Sequence, residues 1–518
     1  MILERTLNKK DQKLMISYVD KDGNRKFYQK YLHHIKTYEY DENGEFETWN
    51  GRRCNAVYKD TTVYTPNEFD ILEYLYNLPE DLNKEFHAQY FPKLYTFDIE
   101  TEISLEFPDP ELAKQQVTAI SLVGPDLSCI VYGLKDMNEN QRSLFRERYL
   151  QWIQDNEFAR NFIKDKKEPK VLYQKFNSED DMLKHFFTII LPKVTALAGW
   201  NSNNFDYRYL WNRLVNLFGR GEAYNILRKA SPVGELTNLT YKDADGTTIR
   251  IPAPGHVTLV DYMEMVKQYD YALRPYESYS LDWVANAAIG AHKIKYDGTL
   301  QDLYEKDTEW YYFYNAIDSL LTILIHYRLK SIQSPCAVSA VTLVPLTAAT
   351  GQIALTTANV FEQFYEDGYK VVYDWNEVER FKIPYEGAFC GAVPGRYGLT
   401  VCDDFASLYP SQIRTCNFSF ENYMQKTEPN NIPGLPPVKV PWTPAELENF
   451  RKDPNYFVSV MGHVYKNDRD YAFRKVQKKL KSLRDAYKYT GQKIDAELLT
   501  EIDRLIKDKK KYKKLCYA

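Results

Sequence analysis

Apolar and polar positions change their rhythm several times along the chain. Over the first ninety residues, short apolar segments separated by Asp20-Lys-Asp-Gly23 and Asp41-Glu-Asn-Gly44 predict a β-rich, turn-punctuated region. From about Phe91, strands alternate with helical stretches, as at 94–100, 179–192 and 304–330, a pattern that predicts an α/β domain. Small residues and Pro345 over 337–354, followed by a helical 359–369, mark a crossover between domains. A mixed segment spans 371–466, with a Pro-rich loop at 429–444, and 470–518 reads as two long helices broken near Thr490-Gly491. In the second of these, Ile494, Leu498, Ile502, Leu505, Ile506, Tyr512 and Leu515 form an apolar stripe that needs a surface to pack on. No internal repeat interrupts this order.

Length and composition narrow the class. At 518 residues and 44% hydrophobic, the chain can bury the cores of three or four domains. No run of eighteen apolar residues occurs, and Met-Ile-Leu-Glu-Arg at the start lacks the apolar centre of a signal peptide, so the expectation is a cytoplasmic protein without a membrane span. Seven cysteines without a Cys-x-x-Cys pair, and eight histidines without ligand spacing, argue against a disulfide framework and a zinc site. The net charge of −4 is uneven: 466–518 holds 17 Lys and Arg against 8 Asp and Glu, leaving −13 for the rest. That end is either a solvated lysine-rich helix or a surface facing phosphates.

Four segments carry candidate chemistry. Leu94-Tyr-Thr-Phe-Asp98-Ile-Glu100 ends an apolar strand in two acids whose spacing puts both carboxylates on one face. Asp206 follows the Gly/Asn-rich Ala198-Gly-Trp-Asn-Ser-Asn-Asn-Phe at a predicted helix start, where capping is the alternative role. Tyr314 and Asp318 lie four apart on one helical face. Asp404-Phe-Ala-Ser-Leu-Tyr-Pro-Ser411 runs an acid into a turn suited to metal-bound nucleotide chemistry. Singly, each is also an ordinary strand end, cap or surface pair. Tyr241–Ile251, with Asp245-Gly246 at its tip, is a hairpin signal.

Taken in order, these segments resemble the three exonuclease motifs and the first palm motif of family B DNA polymerases, most closely those of large tailed phages. Phe107-Pro-Asp-Pro110, Ser231-Pro-Val-Gly234, Leu259-Val-Asp-Tyr262, Tyr296-Asp-Gly298 and Met461-Gly-His-Val-Tyr-Lys-Asn-Asp-Arg-Asp470 extend the resemblance over about 91–488. It implies an α/β multidomain chain: a β-rich N-terminal domain at 1–92 completed by about 334–372, a ribonuclease-H-like 3′-5′ exonuclease domain at 93–333, part of an α+β palm at 373–468 and part of the helical fingers at 469–518. Asp98, Glu100, Asp206 and Asp318 would hold two divalent ions about 3.5–4 Å apart, Mg2+ or Mn2+ by the preference of hard oxygen donors, with Tyr314 orienting the attacking water. The phenol is too weak an acid to serve as a base at neutral pH.

On the polymerase side, the resemblance gives Asp404 and the backbone carbonyl of Phe405 to the metals and the backbone of Ser407, Leu408 and Tyr409 to the triphosphate. The Tyr409 ring would exclude ribonucleotides, and Arg484 and Lys488 would grip the deoxynucleoside triphosphate from the fingers. Asp403 is the competing acid, disfavoured by its register to Ser-Leu-Tyr-Pro-Ser. Tyr385-Glu-Gly-Ala-Phe389 resembles the loop that touches the template, and the 241–251 hairpin the one that parts primer from template. The Tyr-Gly-Asp-Thr-Asp stretch of the second palm motif and the Asn-Ser-x-Tyr-Gly fingers motif do not occur in the 518 residues. The expectation is therefore the N-terminal subunit of a split phage-type DNA polymerase, acting on primer-template DNA and single-stranded 3′ ends. A separate C-terminal subunit would complete synthesis and supply any sliding-clamp contact. The competing expectations are a stand-alone 3′-5′ exonuclease and a catalytically idle DNA-binding or assembly subunit.

Overall fold

The computed structural model describes residues 1–8, 10–59, 65–102, 108–242, 246–270, 277–373, 391, 393–398, 401, 408–430 and 438–490, with side chains as far as 481. The chain is mixed α/β and divides into two compact units, Met1–Lys30 with Lys84–Thr350, and Tyr31–Asn83 with Gly351–Ala518. Among the described residues, no helix is long and apolar enough to cross a membrane.

The first unit opens with an antiparallel sheet of Ile2–Asn8, Lys13–Val19 and Arg25–Tyr31. The expected turn at Asp20 is present: its Oδ1 accepts the Asp22 and Asn24 amides at 3.0 and 2.9 Å, and Gly23 takes φ +78°. Behind it stands a six-stranded sheet, ordered Val171–Lys175, Cys129–Gly133, Val117–Val123, Leu94–Thr101, Ala196–Gly199 and Thr258–Asp261. Val117–Val123 runs antiparallel to both its neighbours; the other pairings are parallel.

Each face of this sheet buries its own core. The helix Thr308–Leu329 packs on one face, its Leu320, Leu321, Ile323 and Leu324 fully buried, each contributing about 2 kcal/mol of apolar transfer. The helix Asp206–Ala230 closes the other with Phe97, Ile99 and Leu197. Because side chains alternate along a strand, Thr96, Asp98 and Glu100 face the first helix while Phe97 and Ile99 face the second. Thr96 Oγ1 donating to the Ser319 carbonyl at 2.7 Å fixes that face against the helix.

The predicted helical stretch 304–330 is two helices, Leu300–Lys306 and Thr308–Leu329, because Asp307 caps the second by accepting the Trp310 amide. The predicted 179–192 stretch stays helical through a α turn at Glu179–His185, a π turn at Phe186–Ile190 and a 3-10 turn at Leu191–Lys193. The crossover 337–354 is helical in its first part, Gln333–Thr342, and ends where Leu343 turns left-handed before Pro345.

In the second unit, the strands Thr37–Tyr40, Phe46–Glu47 and Arg53–Val57 form a small sheet, and helix enters at Glu68–Tyr76, so the β-rich character of the first ninety residues stops short of that point. Gln352–Glu366, Leu408–Cys416, Pro444–Lys452 and Ala472–Thr490 are the later helices among its described residues. Part of the expected Pro-rich loop, Val438–Val440, is a strand paired with Lys426–Glu428. The second of the two predicted C-terminal helices, with its apolar stripe, lies outside the described residues.

Candidate active site

Asp98 and Glu100 leave the end of Leu94–Thr101 on the face covered by Thr308–Leu329, one turn of which delivers Asp318 to them. One carboxylate oxygen from each of Asp98, Glu100 and Asp318 lies within 4.8 Å of the other two. Asp206 joins from the opposite side: its Oδ1 accepts the amide of Ile99, the residue between the two strand acids, at 3.4 Å. The N-cap of its helix is Phe205, which makes no side-chain cap, so Asp206 is the first helical residue and not the cap. The strand-to-helix link is tight. A Cβ at Gly199 would lie 2.6 Å from that of Ser202, so only glycine fits there.

Burial raises the proton affinity of all four acids. For Asp98 the charges of Asp206, Asp318 and Glu100 add to burial and push the carboxyl well above its ordinary range. Glu100 is pushed up to about 8 by burial and then by Asp318, and Asp206 to about 7 mainly by burial. The facing cation is Lys293, 2.7 Å from Asp318 Oδ2. Burial opposes its charge, but Asp318, Tyr314 and Asp98 overcome that and hold the ammonium above its usual range. Asp318 Oδ1 is buried and meets no hydrogen-bond donor among the described residues.

One ammonium does not balance four carboxylates, and an unpartnered buried oxygen is costly. The donor set fits divalent cations: all-oxygen and anionic, which suits Mg2+ or Mn2+ better than zinc. Tyr314 stands beside the group, its phenol pushed up by burial and then by Asp318, its ring edge-on to Tyr296 at 5.4 Å between centroids.

Residues 68–284 match the exonuclease domain of DNA polymerase family B. Over that stretch the chain is similar to the family's exonuclease domain. It is 27% identical over 394 residues to the DNA-directed DNA polymerase of Escherichia phage RB69, covering 73% of this chain and 40% of the relative. It is 27% identical over 256 residues to that of Enterobacteria phage T4, covering 49% of this chain and 27% of the relative. DNA polymerase 1 of Saccharolobus solfataricus is 25% identical over 359 residues, 64% of this chain and 35% of the relative. The chain thus spans less than half the length of these relatives.

The exonuclease-domain match contains Asp98, Glu100 and Asp206 and stops before Lys293, Tyr314 and Asp318, which the fold returns to the same face. Two contributors escaped the sequence. Lys293, in Ala291-His-Lys-Ile-Lys, reads like any solvated cation, and Asn315, fully buried, donates Nδ2 to Asp98 Oδ2 at 2.9 Å from between Tyr314 and Ala316. Its position beside Tyr314 and three before Asp318 was the only available signal. The Asp206 helix also fastens the segment that follows the strand acids: Asn212, Arg213 and Tyr209 donate to the carbonyls of Pro110, Lys114 and Gln115 at 2.8, 2.7 and 2.7 Å. The expected hairpin is present as Leu236–Lys242 paired with Thr248–Pro254, its tip residue Asp245 lying outside the described residues.

Of the polymerase-side residues, Asp404, Phe405 and Ser407, like the 385–389 segment, lie outside the described residues. Leu408 and Tyr409 open the helix Leu408–Cys416, with Tyr409 74% exposed. Arg484 and Lys488 share one face of Ala472–Thr490, their side chains outside the description. Earlier on that helix the cations are already engaged: Arg474 and Lys478 on Asp470, Lys475 on Asp367 and Lys479 on Glu362, at 2.6–3.3 Å. The excess positive charge of this end is partly neutralised within its own unit.

Proposed function

We propose that this chain is a divalent-metal-dependent 3′-5′ exonuclease acting on DNA ends, the proofreading activity of a family B DNA polymerase. The observation that carries it is the convergence of Asp98, Glu100 and Asp318 within 4.8 Å, with Asp206 bonded to the amide between the strand acids. When bound, two Mg2+ or Mn2+ ions supply Lewis acidity and charge for phosphodiester hydrolysis. The chain's own residues do the rest. The four acids would hold the ions, Lys293 favours the ionised form of Asp318 and orients it, Asn315 fixes Asp98, and Tyr314 would orient the water rather than take its proton, because its phenol is held above the ordinary range.

The polymerase reading belongs here as well. The relatives are DNA-directed DNA polymerases, and Asp404-Phe-Ala-Ser-Leu-Tyr-Pro-Ser411 supports a metal and deoxynucleoside triphosphate role for Asp404, Phe405, Ser407, Leu408 and Tyr409, with Arg484 and Lys488 as phosphate ligands. The limits 1–92 completed by about 334–372, 93–333, 373–468 and 469–518 are the domain division that goes with it. The expected C-terminal partner draws no support from the described residues, and the nuclease reading does not depend on it.

The test is a single-stranded DNA oligonucleotide labelled at its 5′ end and incubated with the purified chain and Mg2+. A ladder shortening from the 3′ end, abolished by EDTA, supports the proposal; an intact oligonucleotide contradicts it.

A further inference from the structure

The helix that presents Asp206 begins without a side-chain cap, yet Asp206 must be held against Ile99. The loop before it is bound mainly to itself: Asn201 is left-handed at φ +62°, and its carbonyl accepts the amides of Asn204 and Phe205, both at 3.1 Å. A tether to the sheet is provided by Asp261, 3% exposed, at the end of the edge strand Thr258–Asp261. Its Oδ2 accepts the Asn203 amide at 3.0 Å, and its Oδ1 caps the helix Tyr262–Tyr269 by accepting the Glu264 amide at 3.3 Å. The strand pairing of Gly199 with Asp261 sets the carboxylate level with the start of the loop. One buried carboxylate therefore ties the loop that delivers Asp206 to two fixed elements, the edge strand and the helix that follows it.

We propose that Asp261 is a positioning residue of the metal site, fixing Asp206 through the Asn203 amide; this rests on the exonuclease reading above. Groups that orient metal-holding residues typically carry about 10–100-fold in metal affinity. Capping and loop tethering separate by substitution. Serine caps a helix about as well as aspartate but offers one oxygen on a shorter side chain, so Asp261→Ser keeps the cap and loses the tether.

The experiment is Mn2+ titration of the full chain followed by electron paramagnetic resonance, on wild type and Asp261→Ser, with thermal unfolding of the metal-free proteins alongside. The expected result is about 10-fold weaker Mn2+ binding in the variant at an unfolding midpoint close to wild type. Wild-type affinity in Asp261→Ser overturns the inference and leaves Asp261 a helix cap. Should Asp261→Ser fail to fold, Asp261→Thr, which also caps through a single short hydroxyl, is read the same way, with at least about 3-fold weakening supporting the inference and wild-type affinity overturning it. DNA degradation is measured on the wild-type sample. If Mn2+ binds and depends on Asp261 but DNA stays intact, the nuclease reading falls and the positioning role stands; a wild type that binds no Mn2+ overturns both.

Discussion

The Lys293 ammonium lies 2.7 Å from Oδ2 of Asp318, while the buried Oδ1 of the same carboxylate meets no donor in hydrogen-bonding geometry among the described residues. One side of this acid is satisfied by the protein and the other is free to hold a cation. Removing Lys293 takes away the cation that favours the ionised form of the buried Asp318. Lys293→Met is expected to lower metal-free stability by about 1–3 kcal/mol, with most of the loss recovered on adding Mn2+. Differential scanning calorimetry with and without the ion checks this.

Glu100 sits within 4.8 Å of Asp98 and Asp318. A permanently neutral amide there avoids the cost of burying a carboxylate beside Asp318 in the metal-free protein, and it removes an ion ligand. Glu100→Gln is expected to raise the metal-free stability by roughly 1 kcal/mol, seen as a higher unfolding midpoint, and to abolish most of the Mn2+-induced stabilisation. A lower midpoint in the metal-free variant would show that a carboxylate at this position is not a cost to the metal-free fold.

The strand acids and Asp318 were legible because a strand period of two and a helical spacing are local, and chain order then linked them. Lys293 was not, since nothing in Ala291-His-Lys-Ile-Lys separates a cation drawn into the site from solvated neighbours. Asn315 hides for a related reason: a buried amide within a helix carries no pattern until its partner is known. Asp261 was part of a quoted motif, but its bond to Asn203 crosses 58 residues. At the C-terminal end the excess of cations was legible, whereas the engagement of Lys475 and Lys479 by Asp367 and Glu362, more than a hundred residues earlier, was not.

His256 gives a pH prediction outside the site. It is fully buried, its ring nitrogens meeting the hydroxyls of Thr6 and Ser17, both at 2.8 Å, and burial followed by Arg25 pushes it down to about 4. The unfolded chain takes up this proton near 6.5, the native state only near 4, so its contribution is present above 6.5 and lost as pH falls toward 4. Between pH 7 and 5 the wild type is expected to lose about 1–2 kcal/mol more than His256→Asn, an exchange that suits the left-handed φ of +63°. Urea unfolding at the two pH values measures the difference.

The central claim is that four acids form one metal-dependent nuclease site. The most direct measurement is degradation of a 5′-labelled single-stranded DNA by wild type and by the double variant Asp98→Ala with Glu100→Ala, in Mg2+. The account predicts a 3′-shortening ladder for wild type and a loss of at least about 1000-fold in rate for the variant, as expected when ligands of a two-metal site are removed. Equal degradation by the folded double variant would contradict it.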